Sequence, residues 1–215
     1  MLRLVPSSEA QPARERGPRH ADELSRVAAA AVKGDRSAVH ALLVALAPHL
    51  LRTVRSVLGR DSGDVDDVAQ EAALVVLSAL PGFRGESSVV RFAMRTAVLV
   101  AMNARRKRGA SKRGGGFAAD PAAIDEITTP HDNPEQHLAS ARAANAVRQL
   151  LSTLPASQAE ALALHCIAGC TLAEIASATH APQETVKSRL RLARQALRHT
   201  LEHTPAMVEL LEGDT

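Results

Sequence analysis

The stretch Thr171–Arg194, TLAEIASATHAPQETVKSRLRLAR, decides the fold. Thr171 followed three residues later by Glu174 fits a capping box, which opens a short helix of about eight residues. The chain breaks around His180 to Pro182, and a long basic helix begins near Gln183. A short helix, a tight turn and a basic helix are the outline of a helix-turn-helix, whose second helix lies in the major groove with its N-terminal half toward base edges. Ala173, Ile175, Ala176, Val186 and Leu190 are placed to pack the two helices together. That leaves Gln183, Thr185, Lys187, Ser188 and Arg191 facing outward, with Arg189, Arg194 and Arg198 available for phosphates or solvent. Arg and Lys suit guanine edges and phosphates, and Gln pairs with adenine. A solvated basic helix whose cations merely suit its C-terminal dipole is the plainer alternative.

Upstream of this motif, Val147, Leu150, Leu151 and Leu154 keep helical spacing up to Pro155, and Ser157 with Glu160 fits a second capping box for a helix running to Gly169. Residues 137–203 thus form one helical domain, with 204–215 a C-terminal tail. Residues 109–136 hold Gly114-Gly115-Gly116, Pro121, Pro130 and Pro134 without periodicity, and predict a flexible acidic linker.

Residues 22–108 read as a second helical domain. Val39, Leu42, Leu43 and Leu46 keep helical spacing, and Leu50, Leu51, Val54, Val57 and Leu58 resume it after a boundary at Pro48. A helix over about Asp64 to Leu80 carries a stripe of Val65, Val68, Ala72, Val75 and Ala79, with Asp67, Gln70 and Glu71 on its other side. Pro81-Gly82 ends it. Ser87 or Ser88 caps the next helix, which reaches about Arg108 and measures roughly 30 Å. The Pro- and Arg-rich residues 1–21 predict a disordered tail. The fold class is all-α: two small helical domains joined by the linker.

Composition agrees. The 215-residue chain has three Phe and no Trp or Tyr, so Leu, Val and Ala build its cores, which favours helices. Its net charge of +3 conceals blocks of opposite sign. Five acids and no base lie between Asp61 and Glu71, whereas nine Lys or Arg and a single acid lie between Arg84 and Arg113. Such blocks predict both an anionic and a basic partner. No apolar run approaches the length that spans a bilayer and no signal-peptide core opens the chain, so neither membrane insertion nor secretion is expected. Two cysteines four residues apart, Cys166 and Cys170, predict reduced thiols in a cytoplasmic protein.

Three clusters admit competing chemistry. Asp64, Asp66, Asp67 and Glu71 invite a metal, but acids in a first helical turn offset the macrodipole, and one helix face does not readily supply convergent oxygens. An acidic patch for a basic protein partner fits better. Phe83, Arg84, Arg91, Phe92 and Arg95, followed by Arg105-Arg106-Lys107-Arg108, suit a nucleic-acid backbone, or else a solvated helix end. His165, Cys166 and Cys170 suggest zinc or a Cys-His nucleophile, yet a fourth ligand is missing and Cys166 falls beside Leu162 and Leu164 as a small buried hydrophobe.

In these residues the chain resembles the extracytoplasmic-function (ECF) sigma factors of bacterial RNA polymerase. Asp66-Asp67-Val68-Ala69-Gln70-Glu71 is similar to the family's acidic polymerase-docking motif. Phe83-Arg84-Gly85-Glu86-Ser87-Ser88 resembles the loop that introduces its minus-ten-reading helix, and Leu151–Leu197 resembles its fourth region. The resemblance implies that Asp66, Asp67, Gln70 and Glu71 bind core RNA polymerase. It implies that Phe83, Arg84, Ser87, Arg91, Arg95, Arg105 and Arg106 meet the minus-ten promoter DNA, and that Gln183, Thr185, Lys187, Ser188, Arg191 and Arg194 read the minus-thirty-five element. It further implies an anti-sigma factor as partner, no enzyme activity, no cofactor, no metal and no small-molecule substrate. The chain departs from the family pattern at Phe92 and Met94, where Trp and Tyr are common, and at Val98-Leu99, where Arg-Asn is common; an altered minus-ten preference follows. A stand-alone helix-turn-helix regulator and a thiol or metal hydrolase built on His165 and Cys166 are the rival readings.

Overall fold

The computed structural model describes residues 18–59, 62–113 and 151–203, and all regular secondary structure among them is helical. In chain order the elements are α1 (Pro18–Val32), α2 (Arg36–Leu58), α3 (Val65–Ala79), a 3₁₀ turn (Leu80–Gly82), α4 (Val89–Arg113), α5 (Ala156–Cys166), α6 (Leu172–Thr179) and α7 (Gln183–His203). Helix α1 opens at Pro18, so residues 18–21 of the expected N-terminal tail are helical, and residues 1–17 lie outside the described residues. The long helix expected to stop near Arg108 continues to Arg113, so residues 109–113 are helix, not linker. The remainder of the linker, the helix expected through Val147 and Leu150, and the C-terminal tail lie outside the described residues.

Helices α1–α4 form one packing group around α2. Asp35 starts α2 by accepting hydrogen bonds at one carboxylate oxygen from the backbone N–H groups of Ser37 (2.9 Å) and Ala38 (3.2 Å). These bonds, led by one from the Ser37 hydroxyl, hold the Asp35 carboxyl below its ordinary pKa. The boundary expected at Pro48 does not exist: α2 runs through it to Leu58. A mid-helix proline forfeits one i→i−4 bond, but Leu42, Leu46, Leu50, Val54 and Val57 are all buried on one side, and that continuous apolar face outweighs the loss. Each such burial contributes about 1.5–3 kcal/mol. At 23 residues α2 is also long and apolar enough to cross a membrane, contrary to expectation, yet in this fold its apolar face is the centre of the group.

The apolar stripe of α3 runs through Val65, Val68, Ala69, Ala72 and Val76 and ends on Leu80; Val75 and Ala79 are exposed. Steps of three and four residues from Val65 reach Val76 as readily as Val75, and packing against α2 and α4 selects Val76. Across from it α4 offers Ala93, Ala97, Val98 and Ala101, all fully buried. Small residues let helix axes approach closely, which is how a core with almost no aromatic rings is filled.

Helices α5–α7 form a second group around Leu151, Leu154, Leu162, Leu164, Ile175, Val186, Leu190 and Ala193. The box expected at Ser157 and Glu160 is not formed. Pro155 is the N-cap and makes no side-chain capping bond, so α5 starts at Ala156 and Ser157 already lies within the helix. Helix α5 also packs on α4, which joins the two groups.

Candidate polymerase and nucleic-acid interfaces

Helix α3 turns Asp66, Asp67, Gln70 and Glu71 to solvent, all four exposed, while its other side enters the core. Residues three and four apart are neighbours on a helix surface, so these four make one continuous acidic patch. Asp66 and Asp67 sit in the first turn, where the macrodipole favours them. Asp64 has a separate role. Its side chain does not cap α3 but accepts a hydrogen bond from Arg108 Nε, and Arg108 also donates to the Ser62 hydroxyl (2.7 Å). Arg108 therefore pins the start of α3 to the distal half of α4. Among the described residues no group of three or more His, Cys, Asp or Glu is placed to hold a metal.

The loop Phe83–Ser88 turns on Gly85, whose φ of 75° favours glycine. Ser88, not Ser87, caps α4, its hydroxyl accepting from the Arg91 N–H at 3.2 Å. Phe92 is buried and its ring lies 5.0 Å from that of half-buried Phe83, tilted by 46°. The Arg95 guanidinium stands 5.6 Å over the Phe92 ring. Phe92 is thus mainly a packing residue that positions Arg95, and Phe83 is the more open of the two rings. Arg84 is exposed, and Ser87, Arg91 and Arg95 are half-buried. At the other departures from the family pattern Val98 is core and Leu99 half-buried. Farther along, Arg105 turns partly inward, with one guanidinium nitrogen buried and without a hydrogen bond, and burial lowers its pKa. Arg106 and Lys107 face outward. Lys107 is therefore better presented to a backbone than Arg105.

The helix-turn-helix forms as its local chemistry dictates. Thr171 N–H donates to Glu174 Oε2 (2.7 Å) and Glu174 N–H donates to Thr171 Oγ1 (3.3 Å), the reciprocal capping box of α6. His180 ends α6 in the left-handed region at φ 50°, and α7 follows from Gln183. Ile175 packs with Val186 and Leu190 in the buried interior. Ala176 is half-buried, and Ala173, expected in that contact, is exposed. Gln183, Lys187, Ser188, Arg191 and Arg194 are exposed, whereas Thr185 is half-buried and less available than expected. Lys187 Nζ donates to Glu184 Oε1 at 2.7 Å.

The cysteines divide. Cys170 is buried, and burial pushes its thiol up to about 11. Cys166, expected in the apolar interior, is exposed. It is the last residue of α5, where the chain turns away through Gly169 (φ 64°) and leaves the residue open to solvent on one side, while burial on the other still raises its thiol pKa. The His165 ring nitrogen Nδ1 lies 3.2 Å from the Cys170 carbonyl oxygen, an arrangement that braces this turn.

Residues 21–203, which include both helical groups, match the family model described as ECF sigma factor. The chain belongs to the ECF sigma factor family. It is 31% identical over 181 residues to the ECF RNA polymerase sigma factor SigD of Mycobacterium tuberculosis, covering 82% of this chain and 83% of SigD. It is 33% identical over 174 residues to the ECF RNA polymerase sigma-E factor of Escherichia coli, covering 77% of this chain and 87% of that protein. The fold is similar to that of CnrH in its complex with the cytosolic domain of CnrY. That similarity has a TM-score of 0.55 at 21% identity and covers 83% of this chain and 96% of the other.

Proposed function

We propose that this ECF sigma factor binds core RNA polymerase through the acidic patch of α3 and directs initiation at promoters that its two helical groups read in turn. In this reading residues 22–108 are the domain that docks and captures the minus-ten element, and 137–203 are the domain that reads the minus-thirty-five element. The observation that carries it is α7, which buries Val186, Leu190 and Ala193 while presenting Gln183, Lys187, Ser188 and Arg191 together on its open side. Exposed residues at i and i+4, here Lys187 and Arg191, reach one groove together.

Each surface has a distinct physical task. Carboxylates on α3 complement a basic polymerase surface and steer the encounter. Arg84 and the outward cations Arg106 and Lys107 neutralise backbone phosphates, which contributes affinity without sequence information. Side chains at the start of α7 discriminate bases by hydrogen bonds to their edges. Phosphodiester bond formation belongs to the polymerase, so no catalytic residue is assigned to this chain, and the protein acts in the cytoplasm where polymerase and DNA are found. An anti-sigma factor that masks these surfaces completes the reading, supported by the similarity to CnrH, whose structure is a complex with CnrY.

The test is co-elution with purified core polymerase followed by binding to promoter-length duplex. A stable complex that gains duplex affinity over core alone is expected. A folded chain that binds duplex as a dimer and ignores core polymerase would instead identify a stand-alone regulator.

A further inference from the structure

One side chain on the open side of α7 has no hydrogen-bonding chemistry. Leu192 is 41% exposed, the only large hydrophobic residue so open among the described residues of the second helical group. The buried side of α7 carries Val186, Leu190 and Ala193, and Leu192 is turned away from it. Residues four apart are neighbours on a helix surface, so Leu192 stands beside Ser188. Arg191 precedes it in the chain and Gln195 follows three residues on, and all three of these neighbours are exposed. An apolar group therefore sits inside the surface assigned above to base edges. It is too small for a protein partner, because patches that bind protein are contiguous over several hundred Å², whereas Ser188, Arg191 and Gln195 are polar or charged.

We propose that Leu192 reads the C5-methyl group of a thymine in the upstream element and is a specificity-determining residue of α7. The proposal rests on the docking of α7 in the major groove made above. Base pairs present donors and acceptors on their major-groove edges and one apolar group, the thymine methyl. Leucine has neither donor nor acceptor, so against a guanine, adenine or cytosine edge it displaces water and leaves polar groups unpaired, which is unfavourable. Against the methyl it removes apolar surface of both partners from water. Ser188 and Leu192 are about 6 Å apart along the helix axis, at 1.5 Å per residue. That is close to the rise of two base pairs, so the two side chains meet different bases. Leu192 thereby selects thymine over cytosine at its position, since cytosine presents an N4 donor there. Arg191 beside it remains free for a guanine edge.

The test uses the full chain bound to core polymerase, as wild type and as Leu192→Ala. The substitution keeps α7 folded, because the site is exposed and alanine is the best helix former. Duplexes carry the upstream element selected by wild type from a randomised library. Each thymine in it is replaced singly by deoxyuridine, which removes the methyl and keeps every hydrogen-bonding group. At one position deoxyuridine should weaken wild-type binding about threefold to fivefold, the value of a single buried methyl group. Leu192→Ala should bind the thymine and deoxyuridine duplexes alike. A selected element without thymine, wild-type binding indifferent to deoxyuridine at every position, or full sensitivity kept by Leu192→Ala overturns the proposal. Arg191→Ala, taken through the same library, separates this from a failure of docking. Wild-type preference kept by both variants overturns the docking of α7, whereas preference lost in Arg191→Ala alone overturns only the role of Leu192.

Discussion

Arg191→Ala and Lys187→Ala should damage promoter reading unequally, and the structure sets the order. Both side chains are exposed one turn apart on α7, but their starting states differ. Lys187 already holds Glu184 at 2.7 Å, an i,i+3 pair with both side chains largely in water. Such a pair contributes about 0.2–0.5 kcal/mol, which Lys187 forfeits on turning toward DNA. Lysine also offers a single point of charge, whereas arginine binds guanine bidentately, a contact that discriminates by roughly 1–3 kcal/mol. Arg191→Ala should therefore reduce preference at one or two positions of the upstream element by about 5- to 150-fold. Lys187→Ala should cost less, and Arg198→Ala two turns further on should weaken all sequences evenly or do nothing. Transcription of a promoter library with randomised upstream elements separates these outcomes. Wild-type preference retained by Arg191→Ala, alongside altered preference in Arg198→Ala, would refute the docking of α7.

Reversing charge at both Asp67 and Glu71 should weaken core-polymerase binding while the helical circular dichroism is kept, since both residues are exposed, with melting lowered only by the loss of a first-turn acid at Asp67; wild-type affinity in the folded variant would remove the docking patch. Thr171→Ala removes the capping box of α6 and should lower stability by about 0.5–2 kcal/mol, read by urea unfolding, with a cost near zero contradicting the assigned cap. Alkylation at pH 8 should modify Cys166 well before Cys170, whose buried thiol is pushed up to about 11 and stays protonated; equal rates would contradict that burial. Cys170→Ala should cost about 1–2 kcal/mol and Cys166→Ala almost nothing, by the same unfolding assay.

What the sequence makes legible is what neighbours in the chain decide. Thr171 and Glu174 cap each other across three residues, so the box and the helix after it follow from four residues. The acidic side of α3 and the open side of α7 follow from helical periodicity. Where long-range packing decides, local rules fail. Pro48 reads as a boundary because its missing N–H is a local fact, whereas the burial that carries α2 through it comes from three other helices. Val75 and Val76 are equivalent by composition, and only the position of α4 chooses between them. Ser157 and Glu160 have box spacing, but α5 starts before Ser157, and Glu160 finds Arg106 more than fifty residues away. Cys166 is apolar enough for an interior and misses it because α5 ends there.

The central claim, promoter-directed initiation, is tested most directly by mapping transcript 5′ ends from genomic DNA transcribed with core RNA polymerase alone and with this protein added. The account predicts a discrete set of new start sites that share an upstream element, and the set should shrink or shift with Arg191→Ala. A start-site distribution identical to that of core alone, with the folded protein present in excess, would contradict it.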